Sequence, residues 1–139
     1  MTAYPDLDPA LKEAPYPLED HLGYELVTWA EDLAVFRMPV RTFHRNRYGI
    51  PHGGLYTVLL DTVMGYAGCY TGDPAVRRFA MTLSLTTNYL AQPGDDLLIA
   101  EGRRVGGGKR IYFGEGTVFD GNGTVCARAT GTFRYRTGG

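Results

Sequence analysis

Cysteine is scarce in this 139-residue chain, with only Cys69 and Cys126 present. Two cysteines so far apart make no disulfide framework and no CxxC metal or redox motif. His21, His44 and His52 share no two-His helical spacing, so no metal is expected, and no cofactor motif is found. Long apolar runs are missing as well. No stretch approaches the roughly 18 residues of a membrane span. The opening MTAYPDLDPALKE has prolines and acids where a secretion signal needs a basic start and an apolar stretch. The expectation is a cytoplasmic protein without a membrane anchor. Asn122-Gly123-Thr124 then reads as a turn, not as a glycosylation site. No GxGxxG and no GxSxG elbow occur, and Gly108-Lys109 is followed by Arg110 and lacks the first glycine of a phosphate loop. A net charge of −1 gives no strongly basic surface for nucleic acid.

What is present suits one soluble domain. Hydrophobic residues make up 44% and charged residues 21%, which excludes disorder, collagen-like repeats and coiled coil for the chain as a whole. The small net charge conceals an asymmetry. Residues 1–32 hold eight acids (Asp6, Asp8, Glu13, Glu19, Asp20, Glu25, Glu31, Asp32) against Lys12 alone, leaving seven acids against thirteen bases in the remainder. All but two of the fourteen bases are Arg, the residue suited to bidentate contact with phosphate and carboxylate. Either these are unrelated solvated clusters, or the main body receives a polyanionic small molecule.

Prolines 5, 9, 15 and 17 mark residues 1–20 as an extended lead-in with at most a short helix, ahead of a single domain over residues 21–139. Tyr24–Trp29 and Leu33–Val40 read as a hairpin, and the polar, basic stretch 41–52 as a loop. Leu55, Val58, Leu59, Thr62, Val63, Tyr66 and Tyr70 recur at steps of three and four, predicting one long helix over Gly53–Tyr70. Four strands follow, at Phe79–Leu90, Leu97–Val105, Ile111–Phe119 and Val125–Tyr135, expected as a meander. Asp120-Gly121-Asn122-Gly123 forms the last hairpin turn. One helix against about six antiparallel strands is an α+β layer.

The chemistry concentrates in His44-Arg45-Asn46-Arg47-Tyr48-Gly49-Ile50-Pro51-His52-Gly53-Gly54 and in Asp61. A Gly-Gly at a helix N-terminus exposes N–H groups that no earlier carbonyl satisfies, and the helix dipole behind them favours a carbonyl or a developing oxyanion. A glycine start chosen for a tight turn is the other reading. Asp61 is costly inside an apolar helix unless it has partners or a task. Gly53 and Asp61 stand eight residues apart, about 12 Å along a helix. One carbonyl therefore meets both only if they come from two subunits. Antiparallel packing of two helices along the small stripe Gly54, Thr57, Asp61, Gly65 and Gly68 would achieve this.

The run HxNxxGxxHGG with Asp61 eight positions after Gly53 resembles the hotdog-fold acyl-CoA thioesterases of the phenylacetate-degradation (PaaI-like) group and their 4-hydroxybenzoyl-CoA thioesterase-like relatives. Thr82, Asn88-Tyr89-Leu90, Gly107-Gly108-Lys109-Arg110 and Gly131-Thr132-Phe133 extend the likeness over about residues 20–135. The resemblance implies a hotdog fold, a homodimer that pairs into a dimer of dimers, and hydrolysis of acyl-CoA. It implies that Asp61 acts as general base or nucleophile, that the Gly53 N–H polarises the thioester carbonyl with help from Asn46, that Thr82 positions water, and that His52 supports the loop. Gly54 joins the substrate site. Arg103, Arg104, Lys109 and Arg110 are the nearest candidates for coenzyme A phosphates. Tyr48, Tyr66 and Tyr70 are either acyl-pocket residues or core.

Two other readings stand beside this one. A hydroxyacyl-thioester dehydratase needs a His paired with an acid, which the spacing of His44 or His52 to Asp61 fits poorly. A non-catalytic acyl-CoA-binding module has no need of a carboxylate at the reacting carbon. The acyl group is left open among short, aromatic and medium-chain types.

Overall fold

The computed structural model describes residues 4–137. The outermost residues of the expected lead-in and domain, 1–3 and 138–139, lie outside the described residues. A 3-10 turn at Pro9–Leu11 and a short helix α1 (Pro17–Leu22) precede the hairpin β1 (Glu25–Ala30) and β2 (Leu33–Pro39). Helix α2 (Gly53–Ala67) follows, then β3 (Ala80–Tyr89), β4 (Leu97–Gly107), β5 (Ile111–Asp120) and β6 (Val125–Tyr135). No helix among the described residues is long and apolar enough to cross a membrane.

The six strands form one antiparallel sheet in the order β1-β2-β4-β5-β6-β3. This corrects the expected four-strand meander. Only β4, β5 and β6 run consecutively, while β3 crosses to the far edge and pairs with β6. The place that a meander would give β3, beside β4, is taken by β2.

Helix α2 lies on the concave face with Leu59, Leu60, Val63 and Met64 buried to 0% exposure. Its apolar residues fall at helical spacing, and the core joins them to Phe36, Leu98, Ala100, Tyr112 and Phe133. Helix and sheet meet backbone to backbone at Gly102 of β4, where an added Cβ would stand 2.5 Å from the Val63 carbonyl oxygen and 2.8 Å from the Met64 nitrogen.

The helix stops at Ala67, short of the expected Tyr70. Its terminal carbonyls are claimed by rings from the sheet. The Tyr112 hydroxyl donates to the Met64 and Gly65 oxygens (3.0 and 3.1 Å), the Tyr135 hydroxyl to Gly68 (2.7 Å) and the Trp29 indole N–H to Tyr66 (2.8 Å). These donors satisfy groups that a helix end otherwise leaves open. A Cβ on Gly68 would enter the Tyr112 ring, so the chain cannot carry an ordinary side chain there.

The lead-in is not loose. Leu11 is buried, the Thr28 hydroxyl donates to the Pro5 oxygen (3.0 Å), and Tyr16 and Tyr24 share a hydroxyl–hydroxyl hydrogen bond of 2.8 Å. Glu13 pairs with Arg77 at 2.8 Å.

Candidate active site

Strand β3 runs antiparallel to α2 along the edge of the sheet and meets it at two points. The Thr82 hydroxyl donates to the Asp61 carboxylate at 2.6 Å. Seven residues on, the Tyr89 hydroxyl donates to the Gly53 oxygen at 2.7 Å and takes a hydrogen bond of 3.1 Å from the Thr57 hydroxyl. Strict alternation would put Thr82 and Tyr89 on opposite faces of the strand. A β-bulge between Thr82 and Ser84 adds one residue and turns Thr82 to the helix side, the re-aiming for which bulges are known.

Asp61 is half-buried and opens into a cavity of about 230 Å³ whose walls include Tyr16, Trp29, Tyr66, Phe79 and Phe133. A carboxylate facing an aromatic chamber, held by one hydroxyl, is placed to accept a proton or to attack an electrophile. The structure thus brings Asp61, Thr82 and Tyr66 together. Burial, reinforced by the Glu13 charge, raises the Tyr66 hydroxyl well above its ordinary pKa and keeps it neutral. Cys69, on the same wall, has its thiol pushed up to about 11 by burial and is inert as a nucleophile at neutral pH.

The N-terminus of α2 is capped by His52, whose Nδ1 accepts the Gly54 N–H at 2.9 Å, while the Leu55 N–H reaches the His52 carbonyl at 3.0 Å. The Gly53 N–H meets no acceptor among the described residues. A Cβ at Gly53 would make only ordinary contact with the Tyr89 ring, 3.4 Å away. His52 thereby ties the loop to the start of the helix. Gly54 has its N–H engaged by that cap and is itself exposed.

Asn46 also works within the loop. Its Oδ1 accepts from the Tyr48 and Ile50 N–H groups at 2.9 and 3.4 Å, so only its amide N–H2 remains for a ligand. His44 is buried, receiving the Arg41 N–H on Nδ1 (2.9 Å) and donating from Nε2 to the Leu22 carbonyl (2.7 Å). It ties the loop to the end of α1. Tyr48 is 75% exposed and does not line the Asp61 cavity.

The expected phosphate contacts divide. Arg103 is engaged by Glu101 at 2.7 Å, and Arg104 bonds the Gly108 carbonyl at 3.4 Å and lies over the Tyr112 ring. Neither lines the Asp61 cavity. Lys109 and Arg110 sit exposed in the β4–β5 turn and form no ion pair among the described residues. The Arg110 carbonyl takes the Tyr135 N–H, and the Phe79 carbonyl takes the Arg136 N–H. These contacts gather Arg110, Arg136 and Arg78 at one end of the sheet. Arg78 lines the cavity itself, a position that sequence reasoning missed.

The small stripe is used differently from the expectation. Gly68 is buried against the chain's own Tyr112, while Gly54, Thr57, Asp61 and Gly65 are not buried. The sheet edge at β3 exposes Phe79, Met81, Leu83, Tyr89 and Leu90.

The model of the thioesterase superfamily matches residues 48–127, which contain the helix cap, Asp61 and Thr82. The chain belongs to the thioesterase superfamily. Its architecture, one long helix wrapped by a six-stranded antiparallel sheet, is the hotdog fold. A Saccharolobus solfataricus protein named as a candidate esterase is 33% identical over 90 residues, which cover 61% of this chain and 55% of that protein. The chain therefore matches about half the length of that relative. Among solved structures, the conserved protein PA5202 of Pseudomonas aeruginosa is 27% identical with a TM-score of 0.78, over 91% of this chain and 97% of that one. PaaI from the E. coli phenylacetic acid degradation operon is 22% identical with a TM-score of 0.75, over 88% and 85%. The Haemophilus influenzae thioesterase HI1161 is 21% identical with a TM-score of 0.74, over 86% and 82%. At these identities the last two share the fold.

Proposed function

We propose that this thioesterase-superfamily chain hydrolyses acyl-CoA thioesters, with Asp61 as the acid–base or nucleophilic group. The observation that carries the reading is the Asp61–Thr82 pair at 2.6 Å, set at the mouth of an aromatic chamber. As general base, Asp61 takes a proton from a water that Thr82 helps to hold. The water oxygen bonds the thioester carbon and the carbonyl becomes an oxyanion. Collapse expels the thiolate of coenzyme A, which recovers the proton from Asp61, leaving the free acid. As nucleophile, the carboxylate attacks first and expels the thiolate of coenzyme A, and water then cleaves the resulting anhydride to the free acid and the Asp61 carboxylate, its released proton going to the thiolate. Lys109, Arg110 and Arg78 stand ready for the phosphates of coenzyme A.

The oxyanion needs a donor, and the free N–H of Gly53 is suited to that task. Its distance of about 12 Å from Asp61 along the helix assigns it to the site of a second copy. The apolar edge β3 offers the surface for that copy, so the active unit is a homodimer, with dimers pairing further. Glycine at 53 is then explained by the carbonyl that approaches its N–H, since the chain's own packing does not demand it. Residues 21–139 form the catalytic domain. A cytoplasmic setting agrees with two cysteines that are both free and buried.

Free-thiol release from a panel of acyl-CoA thioesters tests the reading on wild type and Asp61→Asn. Turnover should fall by about a hundredfold or more in the variant. Gly53→Pro removes the N–H at a helix position that tolerates proline, and should be inactive alone. Mixed with Asp61→Asn subunits it should regain activity, because one of the two sites is then intact. Verified heterodimers without activity would refute the shared site. If wild type binds acyl-CoA and cleaves none of it, the chain is a binding module.

A further inference from the structure

Two chambers lie end to end beside Asp61. The inner one, about 230 Å³, holds Asp61, Thr82, Gly65 and Phe133. The outer one, about 660 Å³, runs beneath residues 10–14 of the lead-in and over Tyr70 and Val76. Glu13, Tyr16, Trp29 and Tyr66 are among the residues that line both and so stand where the two meet. Trp29 and Tyr66 are locked ring on ring at 5.1 Å, with the indole N–H bonded to the Tyr66 carbonyl. That half of the partition is tied to helix α2.

The other half comes from the lead-in, which is fastened by side chains: Leu11 is buried and the Thr28 hydroxyl donates to the Pro5 carbonyl. Residues 4–16 make no backbone hydrogen bond to the sheet; the backbone bonds at Leu11 and Lys12 stay within the segment. Tyr4 bonds Glu101 at one end, and Tyr16 bonds Tyr24 at the other. Between them the tie to the loop before β3 is the Glu13–Arg77 ion pair at 2.8 Å, with side chains 34% and 56% exposed.

We propose that the lead-in is the specificity wall of the acyl site, and that the Glu13–Arg77 pair holds the partition closed and sets the longest acyl group the inner chamber accepts. This rests on the thioesterase reading above. At ~30 Å³ per water-sized group, the inner chamber holds about eight such groups. A longer chain must push into the outer chamber, past the half-buried rings of Tyr16, Trp29 and Tyr66 and the ion pair beside them. The outer chamber carries Leu11, Tyr70 and Val76 beside the charged Lys12, Asp73 and Arg77, so it offers an alkyl chain an apolar strip once the partition yields. The acidic lead-in thereby gains a task for at least one of its carboxylates.

The test is a ladder of straight-chain acyl-CoA thioesters from four to sixteen carbons, read as kcat/KM for wild type, Glu13→Gln, Arg77→Gln and the swap Glu13→Arg with Arg77→Glu. The pair is partly exposed, so all four proteins should fold. Wild type should fall steeply beyond about eight carbons. The two single variants should gain about tenfold on twelve carbons and longer, the scale on which pocket size discriminates, and should hold their rates on short chains. The swap should restore the wild-type profile, which a merely structural effect of either residue would not do. Profiles that stay parallel across all four proteins overturn the proposal. If wild type cleaves none of the ladder, calorimetric binding of the same thioesters decides. A break in affinity near eight carbons that shifts in the single variants upholds the wall while the thioesterase reading fails. A flat series sinks both.

Discussion

Replacing Gly102 by alanine tests whether helix α2 is seated on strand β4 as described. The new Cβ would lie 2.5 Å from the Val63 oxygen and 2.8 Å from the Met64 nitrogen, where ordinary contact begins near 3.4 Å. The helix must therefore retreat by about 1 Å. The opposing atoms are backbone and cannot swing away as a side-chain tip would. Overpacking of this kind costs about 1–3 kcal/mol, and a backbone clash belongs at the upper end. For a chain of this size each kcal/mol corresponds to about 4 °C, so Tm should fall by roughly 12 °C. Asp61 lies two residues before Val63 on the same helix. A displacement of 1 Å at a reacting group is enough for about a hundredfold in rate, so hydrolysis should fall further than the population of folded protein. Gly106→Ala is the control, because the same strand has open space there and the change should stay within about 0.5 kcal/mol. Thermal melts and turnover on the three proteins decide the matter. A Gly102→Ala protein that melts within 3 °C of wild type, by this ~4 °C per kcal/mol scale, and keeps its turnover would show that the helix does not rest on β4.

Thr82→Val keeps the shape of the side chain and removes the hydroxyl that Asp61 accepts. In a half-open site that hydrogen bond is worth ~1 kcal/mol, so kcat should drop about fivefold to tenfold with KM little changed, and steady-state kinetics on one thioester would show it. Asp120 predicts a pH effect. Its buried carboxylate accepts from the Gly94, Asn122 and Thr124 N–H groups, and the Gly94 contact leads in holding its pKa below the ordinary aspartate value. A depressed folded-state pKa gives stability that is present above the unfolded value and lost as pH falls through the folded one. Asp120→Asn should therefore lower Tm most at neutral pH, with the gap to wild type closing on acidification. A gap that stays constant from pH 7 down to the acid limit would count against this account.

The bounds of the strands and the register of α2 were readable from the sequence because each is a local pattern. Glycine-rich turns bracket β5 and β6, steps of three and four mark Leu55 to Val63, and the Asn-Gly turn closes the last hairpin. Sheet order was not readable, because nothing in residues 80–90 records that β6 and not β4 is their neighbour. The same holds for the bulge at Leu83. No glycine or proline marks it, yet it decides which face Thr82 presents. At the candidate site, Asp61 stood out because an acid within an apolar helix needs a reason, and Thr82 and Gly53 through their likeness to a family. Glu13, Trp29 and Arg78 could not be found that way. They come from the lead-in, from β1 and from the loop before β3, and only folding makes them walls of one cavity. The helix end was misread for a related reason. Tyr70 continues the apolar spacing, but the rings of Tyr112, Tyr135 and Trp29 take the final carbonyls and end the helix early.

Trp29, the only tryptophan of the chain, stands on the partition between the two chambers with its indole N–H bonded to the Tyr66 carbonyl. The protein thus carries one fluorophore at the wall that an acyl group would press against, and no other indole to dilute it. Filling the inner chamber changes the polarity around that ring. Threading a chain into the outer one moves the lead-in away from the ring and changes its surroundings a second time. Emission at a single wavelength therefore follows occupancy without a label, and an undecorated sample can report in real time which chamber an acyl chain has entered.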